Sequence, residues 1–145
     1  MNLVMKKSIL LLAGLFTVFV SFSQDTRQTV TITNIENVKG DLYIGWYNQS
    51  SAFRINEKAV YRKKVTVAHQ KQVSVDFTNI PKGKYAIAVF LDENDNYTLD
   101  KNIFGIPKEK YGFSNNVLPA LRPSTFEESA FEVNHQNLII NIKLK

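Results

Sequence analysis

The segment Tyr85-Ala86-Ile87-Ala88-Val89-Phe90-Leu91 is apolar at every position, and Pro81 and Gly83 set a turn signal just before it. A run this short, bounded by a turn and rich in β-branched and aromatic residues, reads as a strand. Tyr85, Ile87, Val89 and Leu91 fall on one face and Ala86, Ala88 and Phe90 on the other, because side chains alternate along a strand. Both faces therefore need cover, which places this strand in the middle of a sheet.

Shorter stretches of period-two alternation surround it. Residues 28–34 set Val30 and Ile32 against three threonines, and residues 42–47 set Leu42, Ile44 and Trp46 against Tyr43 and Tyr47, after a turn expected at Gly40-Asp41. Residues 61–68 and 72–77 flank a turn around His69, with Val65, Val67, Val73, Val75 and Phe77 inward, and residues 130–134 and 138–144 close the chain. Residues 48–58 read as an irregular loop or one helical turn pinned by Phe53. About seven short strands joined by tight turns predict an all-β fold, an immunoglobulin-like or transthyretin-like (prealbumin-like) β-sandwich, with a closed barrel as second choice. The polar excursion 92–124 contains no secure strand, and a loop of that length in a compact domain is functional or ordered by something else.

Lys6 and Lys7 precede an apolar run from Ile9 to Phe22 that ends in the small residues Ser21 and Ser23. This is the pattern of a secretory signal peptide, and about 14 residues fall short of the ~20 that a spanning helix needs. The expected organisation is a signal peptide over 1–23 and one β-sandwich domain over 24–145. The mature protein is then exported, periplasmic or extracellular, without a transmembrane segment. Loss of Met1 to Ser23 removes two of eighteen basic residues and none of thirteen acidic ones, which leaves a net charge of +3. Such mild, scattered basicity argues against nucleic acid as a partner. The chain has no cysteine, so disulfides and thiolate chemistry are excluded.

The excursion opens with Asp92-Glu93-Asn94-Asp95-Asn96-Tyr97-Thr98-Leu99-Asp100. Asp92, Asn94, Asn96 and Asp100 put side-chain oxygens at relative positions 1, 3, 5 and 9, and Thr98 offers a backbone carbonyl at position 7, the alternation by which a calcium loop collects hard oxygen ligands. Tyr97 stands where such a loop uses glycine and Ile103 where it uses glutamate; Glu109 is the nearest carboxylate able to replace the latter. Calcium is the expected cofactor, against the alternative of an Asx-rich turn bonded to its own backbone. Phe104-Gly105-Ile106-Pro107 and Tyr111-Gly112-Phe113 interleave aromatics with glycine. They are expected to cap the core, with Tyr97, Tyr111 and Phe113 as the alternative ligand-binding platform of a carbohydrate-binding module. His69 and His135 lack neighbours at metal-ligand spacing. No serine sits in a glycine elbow, and no catalytic residue is assigned. The competing enzyme reading is a small carbohydrate-active hydrolase using carboxylates of the 92–109 loop. The leading expectation is a non-catalytic envelope or extracellular module with an unknown protein or glycan partner.

Four pieces in order carry a resemblance: residues 35–46 with Lys39-Gly40; Ile80-Pro81-Lys82-Gly83-Lys84-Tyr85; Asp92-Glu93-Asn94 through Leu99-Asp100; and Gly105-Ile106-Pro107 through Tyr111-Gly112-Phe113-Ser114-Asn115-Asn116. Together they resemble domain of unknown function 2141 (DUF2141), a family of small exported bacterial proteins, over nearly the whole mature chain. The Pro-x-Gly-x-Tyr entry at 81–85 also resembles prealbumin-type surface modules. Leu91 stands where many members have a histidine, and the family brings no established activity. The signal reading predicts an exported species that begins at or near Gln24; a mass spectrum of that species retaining Lys6 and Lys7 would refute it.

Overall fold

In a computed structural model of the chain, which describes residues 25–36 and 39–145, the fully apolar segment runs down the middle of a five-stranded sheet. The expected signal peptide, 1–23, lies outside the described residues. The strands are β1 (Arg27–Thr33), β2 (Lys39–Tyr47), β3 (Tyr61–Ala68), β4 (Gln72–Thr78), β5 (Gly83–Asp92), β6 (Tyr111–Phe113), β7 (Ala130–Val133) and β8 (Leu138–Lys143). A single helical turn, α1 (Phe126–Ser129), precedes β7. Among the described residues no helix is long and apolar enough to cross a membrane.

β2 pairs antiparallel with one edge of β5, from Asp41 opposite Asp92 to Tyr47 opposite Ala86, and β3 extends the sheet beyond β2. The other edge of β5 is shared. β7 takes Gly83 to Ala86, and β6 takes Ala88 to Phe90. The second sheet has the order β4-β1-β8, with β1 antiparallel to β4 and parallel to β8. The inner faces of both sheets close over one core in which Val30, Ile32, Leu42, Trp46, Ile87, Leu91 and Ile142 are inaccessible. Trp46 lies among Phe77, Tyr85 and Phe131, with ring centroids 5.2, 5.8 and 5.4 Å away. The fold is all-β, with two distinct sheets where the second-choice reading had a closed barrel.

Two expectations need correction. Gly40 and Asp41 belong to β2 and do not form a turn before it. Gly40 has φ +130°, and a Cβ there would stand 2.1 Å from the Asp92 carbonyl oxygen, so the backbone of β2 passes over the end of β5 where only glycine fits. The excursion also holds a strand, β6, which makes eight strands instead of about seven. Three residues are too few to show a period, and β6 forms because the Ala88–Phe90 edge of β5 supplies its partners. Gly112 lets β6 pack inward, since a Cβ on it would meet Ile142 Cγ2 at 2.8 Å.

The outer face of the five-stranded sheet carries a second cluster. Phe53 is buried against Tyr47, Phe113 and Phe126 at centroid distances of 5.5, 5.7 and 6.0 Å, so the 48–58 loop is pinned as expected, with a short 3-10 turn at Asn56–Lys58. Ile87 falls between the residues of β5 that pair with β7 and those that pair with β6. Its N–H goes to Ser114 Oγ at 2.9 Å, and the same hydroxyl donates to the Ser129 carbonyl. Asn115 Nδ2 donates to the Glu128 and Ala130 carbonyls, and Asn116 bridges β8 through Lys143 N and the Asn141 carbonyl. Ser114-Asn115-Asn116 thus staples β6 to β5, β7 and β8. Ser114→Ala should lower unfolding free energy by about 1–3 kcal/mol through the buried N–H it orphans, and Phe53→Ala by about 3 kcal/mol. Chemical denaturation checks both, and an unchanged midpoint in either variant would refute its assigned role.

Candidate functional site

Asp92 ends β5 on the outer face of the sheet and is 1% exposed. Its Oδ1 accepts from Asn96 N at 3.2 Å and its Oδ2 from Tyr97 N at 2.7 Å. Tyr97 takes φ +66°, a left-handed conformation that costs an L-residue about 1–2 kcal/mol. A hydrogen bond to a charged acceptor contributes about 1.5–3 kcal/mol, enough to offset it. Position six of the loop therefore makes the sharp turn without glycine.

Glu109 comes back across this loop and is 6% exposed. Its Oε1 accepts from Glu93 N at 2.8 Å and its Oε2 from Asp100 N at 2.9 Å, so one carboxylate braces both ends of the loop. Asp100 in turn accepts from Asn94 Nδ2 at 2.7 Å and Asn96 Nδ2 at 2.8 Å, while Asn96 Oδ1 accepts from Thr98 N and Oγ1. The structure thus brings Asp92, Asn94, Asn96, Thr98, Asp100 and Glu109 into one network. Glu93 and Asp95 are exposed. Among the described residues no three His, Cys, Asp or Glu side chains are gathered in metal-holding geometry. Leu91 is inaccessible in the core, so its position faces away from the loop. His69 and His135 are exposed in bends.

Tyr97 is 57% exposed and stands edge-on to Tyr43 at 6.2 Å. The Lys64 ammonium lies 5.7 Å from both rings and 2.6 Å from Asp41 Oδ2. The hydrogen bond from Lys64, with a second from Thr66, holds the Asp41 carboxyl below the usual carboxylate range, and Asp41 pushes Lys64 up. Tyr111 and Phe113 lie 5.8 Å apart on β6. Phe113 is buried in the second cluster and Tyr111 is half-buried against it, whereas Phe104 and Ile106 are 80% and 59% exposed. The expected capping of the core thus divides between the two aromatic pieces.

A groove of about 700 Å³ opens where the second cluster ends, between the outer face of the sheet and the loops 99–110 and 119–123. Sequence reasoning missed it, along with Arg54 and Leu121. The signal for Leu121 was the apolar run Val117-Leu118-Pro119-Ala120-Leu121, and Arg54 left none. Tyr43 and Phe90, stacked at 5.1 Å and 10°, and Tyr111 pave its floor. Burial pushes the Tyr47 phenol beside it up to about 12.

The outer wall is clamped by Arg122, whose guanidinium forks onto Glu128 at 2.7 and 2.8 Å. Glu128 also accepts from Thr125 N, and Thr125 Oγ1 accepts from Glu128 N, a capping box on α1. Arg122, then Thr125 N–H, lowers the Glu128 carboxyl to about 2. A depressed carboxylate stabilises fully above its ordinary range, and that contribution is lost as pH falls through that range toward about 2. Hydrogen-exchange protection of residues 118–125 should therefore fall on acidification from pH 5 to 2.5 in the native chain, and should start low and stay flat in Glu128→Gln. Equal profiles would refute the clamp.

No curated protein and no solved structure matches the chain. Residues 30–141 match the model of a family described as uncharacterized protein conserved in bacteria, and with that match spanning both sheets, the 92–100 loop and the Ser114-Asn115-Asn116 staple, the chain belongs to DUF2141.

Proposed function

We propose that this DUF2141 protein is an exported, non-catalytic binding or structural module of the bacterial envelope or cell exterior, whose acidic loop is stabilised by one calcium ion. The finer reading of its two-sheet fold is an immunoglobulin-like or transthyretin-like sandwich. The observation that carries the calcium reading is the return of Glu109 to the loop, where this buried carboxylate accepts from the backbone N–H groups of Glu93 and Asp100. The turn at Tyr97 supports it too, because the sharp bend such a loop requires is made. Asn94 and Asn96 now direct amide N–H groups at Asp100; calcium would replace those donors, and the amides would turn their oxygens to it.

Asp92 and Glu109 each spend both oxygens on backbone N–H groups, which favours a structural role over acid–base work in a hydrolase. Phe113 is buried in the second cluster and Tyr111 is half-buried against it, which disfavours a sugar-stacking row of these two rings with Tyr97.

If the ion binds only the folded state, a hundredfold excess over its dissociation constant stabilises that state by about 2.7 kcal/mol. Chelator should lower the melting temperature, and magnesium should substitute poorly because it demands a smaller octahedron. Asp100→Ala should abolish the calcium-dependent shift while Glu93→Ala only reduces it. A chelator-insensitive melt of metal-free protein would leave the self-bonded Asx turn as the correct description.

A further inference from the structure

We propose that the groove beneath the 99–110 loop binds a single anionic amphiphile, a molecule with an alkyl body and a carboxylate head. The volume of about 700 Å³ lies within the range of small-molecule sites. Its floor, Tyr43, Phe90 and Tyr111, is aromatic, and Ala88 beneath them leaves space that a larger side chain would fill.

The rim is apolar without being buried. Residues 100–109 form a narrow hairpin held by Lys108 N to the Asp100 carbonyl and Asn102 N to the Ile106 carbonyl, both at 2.8 Å, while Asn102 Oδ1 accepts from Phe104 N and Ile106 N. This ordered tip presents Phe104, 80% exposed, and Ile106, 59% exposed; Leu121, 99% exposed, faces the groove from the other loop. Three large apolar side chains around one opening mark a ligand or partner site.

Charge selects the head group. Arg54, Lys101 and Lys108 line the groove, and among the described residues none has a carboxylate within ion-pair distance. Of the three other lining cations, Lys110 and Arg122 are held by Glu36 and Glu128, and Lys145 adds a further ammonium. Glu109 lines the groove as well, but both its oxygens are turned to backbone N–H groups of the acidic loop. An alkyl chain lying on the aromatic floor therefore finds cations at the mouth for its carboxylate, and a neutral chain of equal length finds the floor alone.

The inference goes beyond the calcium reading and does not need the ion, so the titration is run both in calcium and in chelator. Dodecanoate, followed by Tyr and Trp fluorescence and calorimetry, should bind with one-to-one stoichiometry, and dodecanol should bind at least tenfold more weakly. The exposed double variant Lys101→Glu/Lys108→Glu should weaken dodecanoate at least tenfold and leave dodecanol unchanged. Phe104→Ser, on the exposed tip, should weaken both while the melting temperature stays put. Ala88→Trp should block both where it folds. Absence of saturable dodecanoate binding, equal affinity for dodecanol, or binding seen only with phosphatidylglycerol vesicles, which would make the rim a membrane contact, would each overturn the proposal.

Discussion

β5 is apolar on both faces, and its need for cover on both sides organises the domain. One face is met by the inner strands of the three-stranded sheet, through Ile87, Val89 and Leu91. The other has no sheet to meet it, so the chain supplies Phe53 from one loop and Phe113 and Phe126 from the segment after β5. Full burial of one such side chain contributes about 1.5–3 kcal/mol, enough to hold irregular chain against the sheet. The cover is complete over Ala86 and incomplete over Ala88 and Phe90, which are partly exposed. The groove is the unfinished part of that cover.

Irregular backbone packed on a sheet must find partners for its N–H groups. Asp92 and Glu109 solve this at the start of the excursion by accepting four backbone N–H bonds between them. A buried carboxylate without donors is costly; one with two directed donors becomes a rigid joint. Ser114, Asn115 and Asn116 do the corresponding work farther along, where the edge of β5 passes from β7 to β6. The pieces that carry the family resemblance thus coincide with joints: Gly40 against Asp92, the acidic loop, and the staple after β6.

These joints also separate two features that adjoin. The acidic loop spends its buried carboxylate oxygens inward, on its own backbone, while the hairpin it supports turns Phe104 and Ile106 outward. Stiffness in the first gives the second a defined position above the aromatic floor, and Glu109, bonded to the loop on one side and lining the groove on the other, connects them.

Strands of six residues or more were legible in the sequence because alternation of Leu42, Ile44 and Trp46, or of Val73, Val75 and Phe77, is a local property of the chain. The two-faced segment 85–91 announced a central strand for the same reason. The acidic loop was legible as a pattern of oxygens, and Glu109 as a nearby carboxylate with chain enough to fold back to it. What the sequence left open depended on contacts between distant segments. β6 is three residues long and exists because β5 offers an edge; Gly40 looks like a turn and lies in a strand because Asp92 passes beneath it. Phe113 and Phe104 stand nine residues apart in similar aromatic, glycine-containing surroundings, yet one is buried and the other is 80% exposed. No local rule separates them, because burial is decided by what the rest of the chain brings to each position, and the groove between them exists only where that supply stops.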